Sequence, residues 1–498
     1  MPERDSGGLV DSLLARVGVA ASDLPGRARA LVNLAFVSIV LAIVWGLIAS
    51  VADQPREWLL PAGALAVLGI VLIGVAAVVA IRGEPAGPDA GPGTEVPGGR
   101  FVIGCWLGRR TVASGAIRIE GAPAGLPSSQ AVSVFVEPEP ERLGPEQQGS
   151  DSMFDAVVSK IAATIRSALA KEGFEGFAAI GVGTPGIVDL ASGSLSLSVT
   201  FPVGTNITHE LARRLFAREP DLIRRAFPGV EHEDALRSRI YVDNDVRCIA
   251  RNDLSQSSWR EFTSIYVASG VGAGIVVAGE VHYGAHGSAG HIGHVELEGT
   301  GNGLRLTTGH VLGPAHCDCG YDGFHFEPFA NYAGLLRIAT TVAGEDSATT
   351  LGVIRQHFDQ QGVRRDDFCR DGLAKVIAEA DKELDHISVE MRPLFDRHPQ
   401  VVKFCDEVLD AYVAVLAGGI GTLTNIVDTG RLFMSGPLIE TLARNRCFRS
   451  YLQRHLPHHL LDRKAQPDLQ RTDATQGLWR GAALLAWDPA FHRRRMRV

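Results

Sequence analysis

The chain is poor in lysine. Only six of its 48 basic residues are lysine, a bias we read as coding preference rather than function. A basic surplus is also missing. Fifty-six acidic residues against 48 basic ones leave a formal net charge of -8, which argues against a nucleic-acid binder, whose footprint is usually a basic domain. Cysteine supplies no disulfide framework: there are seven, an odd number, scattered without paired spacing, and this points to a reducing compartment. What remains is an ordinary globular mix, 46% hydrophobic and 21% charged. Its 498 residues suffice for two or three domains.

Two long apolar runs stand near the start. Leu31 to Ala52 and Leu59 to Ile81 carry no charged residue over 22 and 23 positions, and each exceeds the roughly 20 residues that cross a bilayer core. Asp53 to Trp58 forms a short polar turn between them. The pattern predicts a transmembrane hairpin at 31–52 and 59–81, with Trp58 at interfacial depth. A cleaved signal peptide fits less well, because the first run starts late and is too long; two buried core helices are the other reading. Arg16, Arg27 and Arg29 precede the first span and Arg82 follows the second. Positive-inside bias therefore puts the 1–30 segment and the soluble part in the cytoplasm, on a lipid bilayer. Residues 83–99 are rich in Gly and Pro and read as a tether. The 491–498 tail is basic, and suits either an anionic lipid surface or a solvated terminus.

From Arg100 the pattern becomes that of a folded α/β domain. Phe101 to Gly108, Val112 to Glu120 and Ala131 to Val136 read as a three-strand meander. Asp151 to Glu172 places Phe154, Val157, Val158, Ile161, Ile165 and Leu169 on one helical face, and Ser150 or Asp151 suits its start. Phe177 to Gly183 is a continuous apolar strand fit for a sheet covered on both sides. A second strand-rich block spans Phe262 to Val281, and long helices are expected over Gly372 to Leu394 and Val401 to Ile426. Two strand-then-helix blocks predict two lobes, 100–250 and 251–490, with a ligand cleft between them. The charged segment around Asp359 to Gln400 fits a lid, a dimer contact or plain surface equally well.

Several blocks in this domain bear on chemistry. They are Ile180-Gly-Val-Gly-Thr-Pro-Gly-Ile-Val-Asp189, Val242-Asp-Asn-Asp245, Ser269-Gly-Val-Gly-Ala-Gly274, Gly279 to Gly284, Ala289-Gly-His-Ile-Gly-His294, Cys317-Asp-Cys-Gly320 and Gly481-Ala-Ala483. In their order and spacing, over about residues 101 to 487, the chain resembles the ROK family of repressors, open reading frames and sugar kinases. The resemblance implies a two-lobed actin-like (ribonuclease-H-like) ATPase fold, an α/β architecture, here preceded by the transmembrane hairpin. A repressor role is disfavoured, because membrane spans occupy the place of the family's N-terminal winged-helix module.

A sugar hydroxyl is a poor nucleophile, and a carboxylate within hydrogen-bond reach can take its proton as it attacks a phosphate. Asn244 and Asp245, after a strand and at a helix start, suit that task; a plain helix cap is the competing reading. The resemblance implies Asp245 as the catalytic base, and Asn244, Asp245, His291, His294 and Glu327 as sugar contacts. His291 stands where the family has Glu. Asn206 is a further sugar-contact candidate. Gly270, Gly272 and Gly274 would let backbone N–H groups approach phosphate, although such a pattern is often a hairpin. Gly436 stands where the nucleotide-base loop is expected. His294, Cys317, Cys319 and His325 form a candidate Zn²⁺ set, with His325 in place of a missing fourth Cys; a polar loop without metal is the alternative.

One block departs from the family. Trp106-Leu-Gly-Arg-Arg-Thr111 replaces the first phosphate loop, with Trp106 at the position of an Asp that helps hold Mg²⁺ and Arg109 at that of the second Gly. Two functions follow from the resemblance: a membrane-tethered sugar kinase using ATP and Mg²⁺, or a catalytically impaired sugar sensor. The identity of the sugar and the oligomeric state, a homo-oligomer included, stay open.

Overall fold

The computed structural model describes residues 101–497, apart from 121–124, 145–149, 199, 299–302, 345–349, 384–385 and 465. The expected membrane hairpin and its tether lie outside the described residues.

The first sheet begins as the expected meander. Strands β1 (Phe101–Leu107), β2 (Thr111–Ile119) and β3 (Val132–Val136) run antiparallel in turn. β4 (Phe177–Thr184) then joins β1 in parallel, and β5 (Ile240–Asn244) joins β4 in parallel. All eight residues of β4 are buried, as a strand covered on both faces must be. Helix α1 (Ser150–Leu169) covers one face, with Phe154, Val157, Ile161 and Ile165 inward. The second sheet repeats the plan. β6 (Phe262–Val267), β7 (Val271–Val277) and β8 (Glu280–Val281) are antiparallel, and β9 (Arg431–Ser435) and β10 (Asp468–Arg471) follow in parallel on the β6 side. Along its main path each sheet thus has three antiparallel strands and then two parallel ones in the same spatial order, and the first sheet adds a short sixth strand, Glu141–Arg142, beside β2. This duplication is the two-lobed actin-like plan.

Two helices cross between the lobes. α2 (Asp245–Gln256) leaves β5 of the first sheet and packs on β6 and β7 of the second. In the second lobe, α3 (Gln400–Val427) runs through the core, with Phe404, Tyr412 and Leu416 buried. Among the described residues it is the one helix long and apolar enough to cross a bilayer. α4 (Ala474–Ala483) leaves β10 and returns to β1 and β4 of the first sheet. A Cβ on Gly181 of β4 would stand 1.8 Å from Ala482 O, and one on Gly274 of β7 would stand 2.5 Å from Ala250 Cβ. Glycine at these strand positions lets the crossing helices lie close to the sheets.

The structure departs from the sequence expectations at four places. The lobe boundaries differ: the core of the first lobe takes in Trp479, Leu485 and Phe491, because α4 and the residues after it return to the first sheet. The expected helix over Gly372 to Leu394 is broken into a π-helical turn at Cys369–Leu373 and short helices at Ala374–Glu379 and Arg392–Arg397. Glu379 turns back to accept from Ser388 N–H at 2.9 Å and Ser388 Oγ at 2.8 Å, and Pro393 forces a new helix start. The basic tail is neither free nor splayed. It forms a helix, Pro489–Arg497, held by buried Phe491 and by Arg493 and Arg494 against Glu280, Gly284 and Ala285. Finally, Asn206 caps the helix Ile207–Arg218, its Oδ1 accepting from His209 N–H at 2.9 Å, and it is not among the residues that line the cavity described below.

Candidate active site

The end of β5 is held by buried charge. Asp243 accepts from Arg247 Nε at 2.7 Å, from Arg251 Nη2 at 3.0 Å and from the Tyr283 hydroxyl at 3.0 Å. Arg251 Nε also donates to Asp488 at 2.7 Å. Asp243 and Arg251 are fully buried. Burial alone would raise the Asp243 pKa, yet Arg247 and Arg251 together hold it below the ordinary carboxylate value. The network ties β5, α2 and the C-terminal segment together, and so fixes the two residues that follow Asp243. Arg247 and Arg251, one turn apart on α2 just after Asp243 of β5, were a signal present in the sequence; the partner Asp488 was not.

Asn244 is the helix cap. Its Oδ1 accepts from the N–H of Val246 at 3.0 Å and of Arg247 at 3.2 Å, while its Nδ2 donates to Gly186 O at 3.0 Å. The capping task therefore belongs to Asn244 and frees Asp245 from it. Asp245 is buried and its Oδ1 accepts the Val246 N–H at 2.9 Å. Burial pushes its carboxyl up to about 6, against the pull of that N–H.

Asp245 lines a cavity of about 190 Å³ between the lobes, and Asn244, His291, His294 and Glu327 line the same space. Its size suits a small polar ligand and falls below the range of drug-sized pockets. Glu327, at the start of the short helix Glu327–Ala330, accepts from Val271 N–H at 2.9 Å. Burial raises its pKa above the ordinary value. His291 holds its Nδ1 2.9 Å from Ser288 O. A carbonyl only accepts, so Nδ1 carries the proton. Burial lowers the His291 pKa, which leaves a neutral ring with Nε2 as an acceptor. The imidazole thereby offers an acceptor at the position where the family resemblance leads one to expect Glu.

Beside the cavity, one ligand atom from each of His294, Cys317, Cys319 and His325 lies within 4.8 Å of the others. His294 Nδ1 is 3.4 Å from Cys317 Sγ, and His325 Nδ1 is 3.5 Å from Cys319 Sγ. A tetrahedron with Zn–S near 2.3 Å and Zn–N near 2.05 Å has mixed edges of about 3.5 Å. The donor set and its spacing fit Zn²⁺.

The phosphate-loop candidates divide. Gly270 and Gly272 line the cavity, with Gly270 at the tip of the β6–β7 hairpin. Gly274 lies within β7 and is required by α2. Gly436 precedes the helix Pro437–Leu442 with φ +102°, where a Cβ would stand 2.3 Å from Val267 O, so the turn requires glycine. In the β1–β2 turn, the Trp106 ring lies over Gly108, 2.8 Å from where a Cβ would be. The ring packs against a small apolar cluster that includes Val246, Tyr266 and Leu478. Arg109 Nη1 reaches across to Asp318 at 2.9 Å. No carboxylate stands in this turn, so its residues do not fit a hydrated Mg²⁺.

The ROK family model matches residues 139–488. A glucokinase from Halalkalibacterium halodurans is 26% identical over 187 residues, 37% of this chain and 46% of that protein; the chain thus spans less than half of that relative. Among solved structures, a ROK family glucokinase from Streptomyces griseus in complex with glucose and AMPPNP is 16% identical, with 77% of this chain and 98% of that one covered and a TM-score of 0.47. A ROK family transcriptional regulator, a homologue of the E. coli MLC protein, is 16% identical, with 93% and 98% covered and a TM-score of 0.49.

Proposed function

Since the chain belongs to the ROK family, we propose that its inter-lobe cavity binds a hexose-class sugar, with the Asp245 carboxylate facing the reactive hydroxyl. The observation that carries this reading is the convergence of Asp245, Asn244, His291, His294 and Glu327 on one small cavity. Asp245 near neutrality is an acceptor matched to proton transfer from a hydroxyl. Neutral His291 offers an acceptor at Nε2, and Glu327 offers its second carboxylate oxygen. His294 serves two neighbours in this reading: Nδ1 faces Cys317 and the opposite ring nitrogen is left for the sugar. Zn²⁺ held by His294, Cys317, Cys319 and His325 would order this loop and fix the ring of His294.

Two outcomes remain for the bound sugar. Retention of Asp245 supports a sugar kinase. Trp106, packed where a metal-holding acid is expected, supports a sensor that binds sugar without transferring phosphate. Sugar-dependent ADP release, measured on the full chain with hexose, ATP and Mg²⁺ beside Asp245→Asn, separates them. Turnover lost in the variant supports the kinase; thermal stabilisation by hexose without turnover supports the sensor; neither effect removes the proposal. The apolar runs at 31–52 and 59–81 support a membrane anchor with the domain on the cytoplasmic side. A reporter fused after Val498 that works only outside the cytoplasm would reverse that topology.

A further inference from the structure

The chain enters the described fold at Phe101, the first residue of β1. β1, β4 and β5 run parallel, so their first residues share one edge of the first sheet. Asn244, which ends β5, and Asp245 stand at the opposite end, beside the small cavity. The register places Gly104, Gly181 and Tyr241 side by side. With strands about 4.8 Å apart and a rise of about 3.3 Å per residue, Tyr241 lies about 14 Å from Phe101.

The C-terminal helix Pro489–Arg497 is fastened at Tyr241. The rings of Phe491 and His492 meet the Tyr241 ring edge-on, with centroids at 6.0 and 5.1 Å, and the Arg495 guanidinium lies over that ring at 5.0 Å. The helix holds four arginines and no acid. Glu280 offsets Arg493 at 2.5 Å. Arg494 donates to the carbonyls of Gly284 and Ala285, and Arg239, just before β5, donates to Pro228 O. Carbonyls satisfy the donors and leave the positive charge uncancelled. Arg239, Arg494 and Arg495 have no carboxylate within ion-pairing distance among the described residues. Glu172 and Glu175, exposed acids of this edge, flank Phe174 near Phe101, so the helix side is the basic one. Met496, near the helix end, is 66% exposed. An open hollow of about 550 Å³, lined by Val277, His282, Arg493 and Arg494, lies beside the helix.

We propose that this face docks on an anionic lipid surface, with Arg239, Arg494 and Arg495 meeting the headgroups, the hollow receiving one of them, and Met496 entering the acyl boundary. The proposal rests on the reading of residues 31–52 and 59–81 as a membrane anchor. Those runs reach the described fold only through Phe101, so a bilayer that holds them is tethered at the edge where the basic helix is fastened. The tether gives the lipid a high local concentration, and each arginine near an anionic leaflet strengthens the contact. A guanidinium also matches the planar oxygens of a headgroup phosphate. Because the helix is packed on Tyr241 and not free, docking orders few residues and orients the whole domain. The small cavity, at the far end of the same strands, is left open to solutes.

Hydrogen exchange tests this on the full chain, in nanodiscs of phosphatidylcholine alone and of phosphatidylcholine mixed with phosphatidylglycerol. The amides of residues 489–497 exchange about tenfold more slowly in the anionic discs. The slowing is lost at about 1 M salt, where the Debye length falls to about 3 Å. Arg239→Gln, outside the helix, and Arg495→Gln each cut it about fivefold. Exchange of the variants in phosphatidylcholine discs shows whether the helix is still packed, and the salt comparison needs no variant. Equal exchange in the two discs, as a merely solvated helix would give, overturns the docking face. So does a slowing that survives both salt and both variants. Anchoring is read separately, by alkaline carbonate extraction of the full chain from phosphatidylcholine vesicles. A chain released there loses the anchor, and the same exchange comparison on added vesicles of the two compositions then decides the lipid face by itself.

Discussion

The two lobes repeat one topology, yet the tips of their first hairpins differ in kind. The β6–β7 tip carries Ser269 and Gly270, small residues that leave room beside Glu327. The β1–β2 tip carries Arg109 and Arg110, and the ring of Trp106, near the end of β1, fills the space over Gly108. In a fold built from two equivalent hairpins facing one cleft, the two sides can differ in chemistry. Here the side of Asp245, His291 and Glu327 gathers carboxylates and imidazoles, and the β1–β2 side carries indole and guanidinium. The crossing helices α2 and α4 link the two regions. They pack on strand faces at Gly181 and Gly274, and Val246 of α2 and Leu478 of α4 also meet the Trp106 ring.

The largest effect expected from breaking this contrast lies at the metal-type cluster beside the inter-lobe cavity. Cys317→Ser removes a ligand from the His294, Cys317, Cys319 and His325 set. We expect bound zinc, measured by metal analysis, to disappear, and the unfolding midpoint to fall by several degrees, on the order of 2–4 kcal/mol. Chelation of the wild type should reproduce the shift. A wild type without bound metal removes the four-ligand assignment.

Next comes Asp245, whose carboxyl is at about 6 in the folded chain against an ordinary 3.8. Between those values the folded chain keeps a proton that the unfolded chain has released. Stability from this group therefore falls as pH rises from about 4 to 6 and stays low above that. Asp245→Asn removes the fall. The variant should match the wild type near pH 3.5 and exceed it by about 3 kcal/mol near pH 7.5, read by denaturant unfolding. Asp253, also raised to about 6 by burial, contributes the same slope to both proteins and cancels in the difference. A gap that does not change with pH would mean that Asp245 is not desolvated in the folded state.

The contrast can also be sharpened. Trp106→Asp places an acid near the end of β1 and opens the space above Gly108. Added Mg²⁺ should then tighten ATP binding about tenfold more than it does in the wild type. The smallest change is expected at the exposed Arg109–Asp318 pair, with side chains 46% and 42% accessible. Arg109→Gln should move stability by less than about 1 kcal/mol, and a larger loss in denaturant unfolding would show that the pair latches the lobes.

Much of this arrangement was legible in the sequence. The meander at Phe101, the buried strand at Phe177 and the helix at Gln400 follow from runs and periods of apolar residues. The convergence of residues 244, 245, 291, 294 and 327 on one space was implied by a family resemblance, since no local pattern relates positions so far apart. Three things were hidden for physical reasons. Gly274 looked like a phosphate loop residue because glycine permits close approach of backbone whether the neighbour is a ligand or a helix. The break between Glu379 and Arg392 depends on a carboxylate that turns back to Ser388, a contact that helical periodicity does not reveal. The basic face gathers Arg239 and Arg495 around Tyr241, positions that only the folded chain brings together.

The structure of the full chain with a bound hexose addresses the central claim most directly. The account predicts the sugar in the smaller cavity, one hydroxyl oxygen within about 3 Å of the Asp245 carboxylate, and His291 and Glu327 in hydrogen-bond contact with its other hydroxyls. A hexose seated elsewhere, or turned with its hydroxyls away from Asp245, would contradict it.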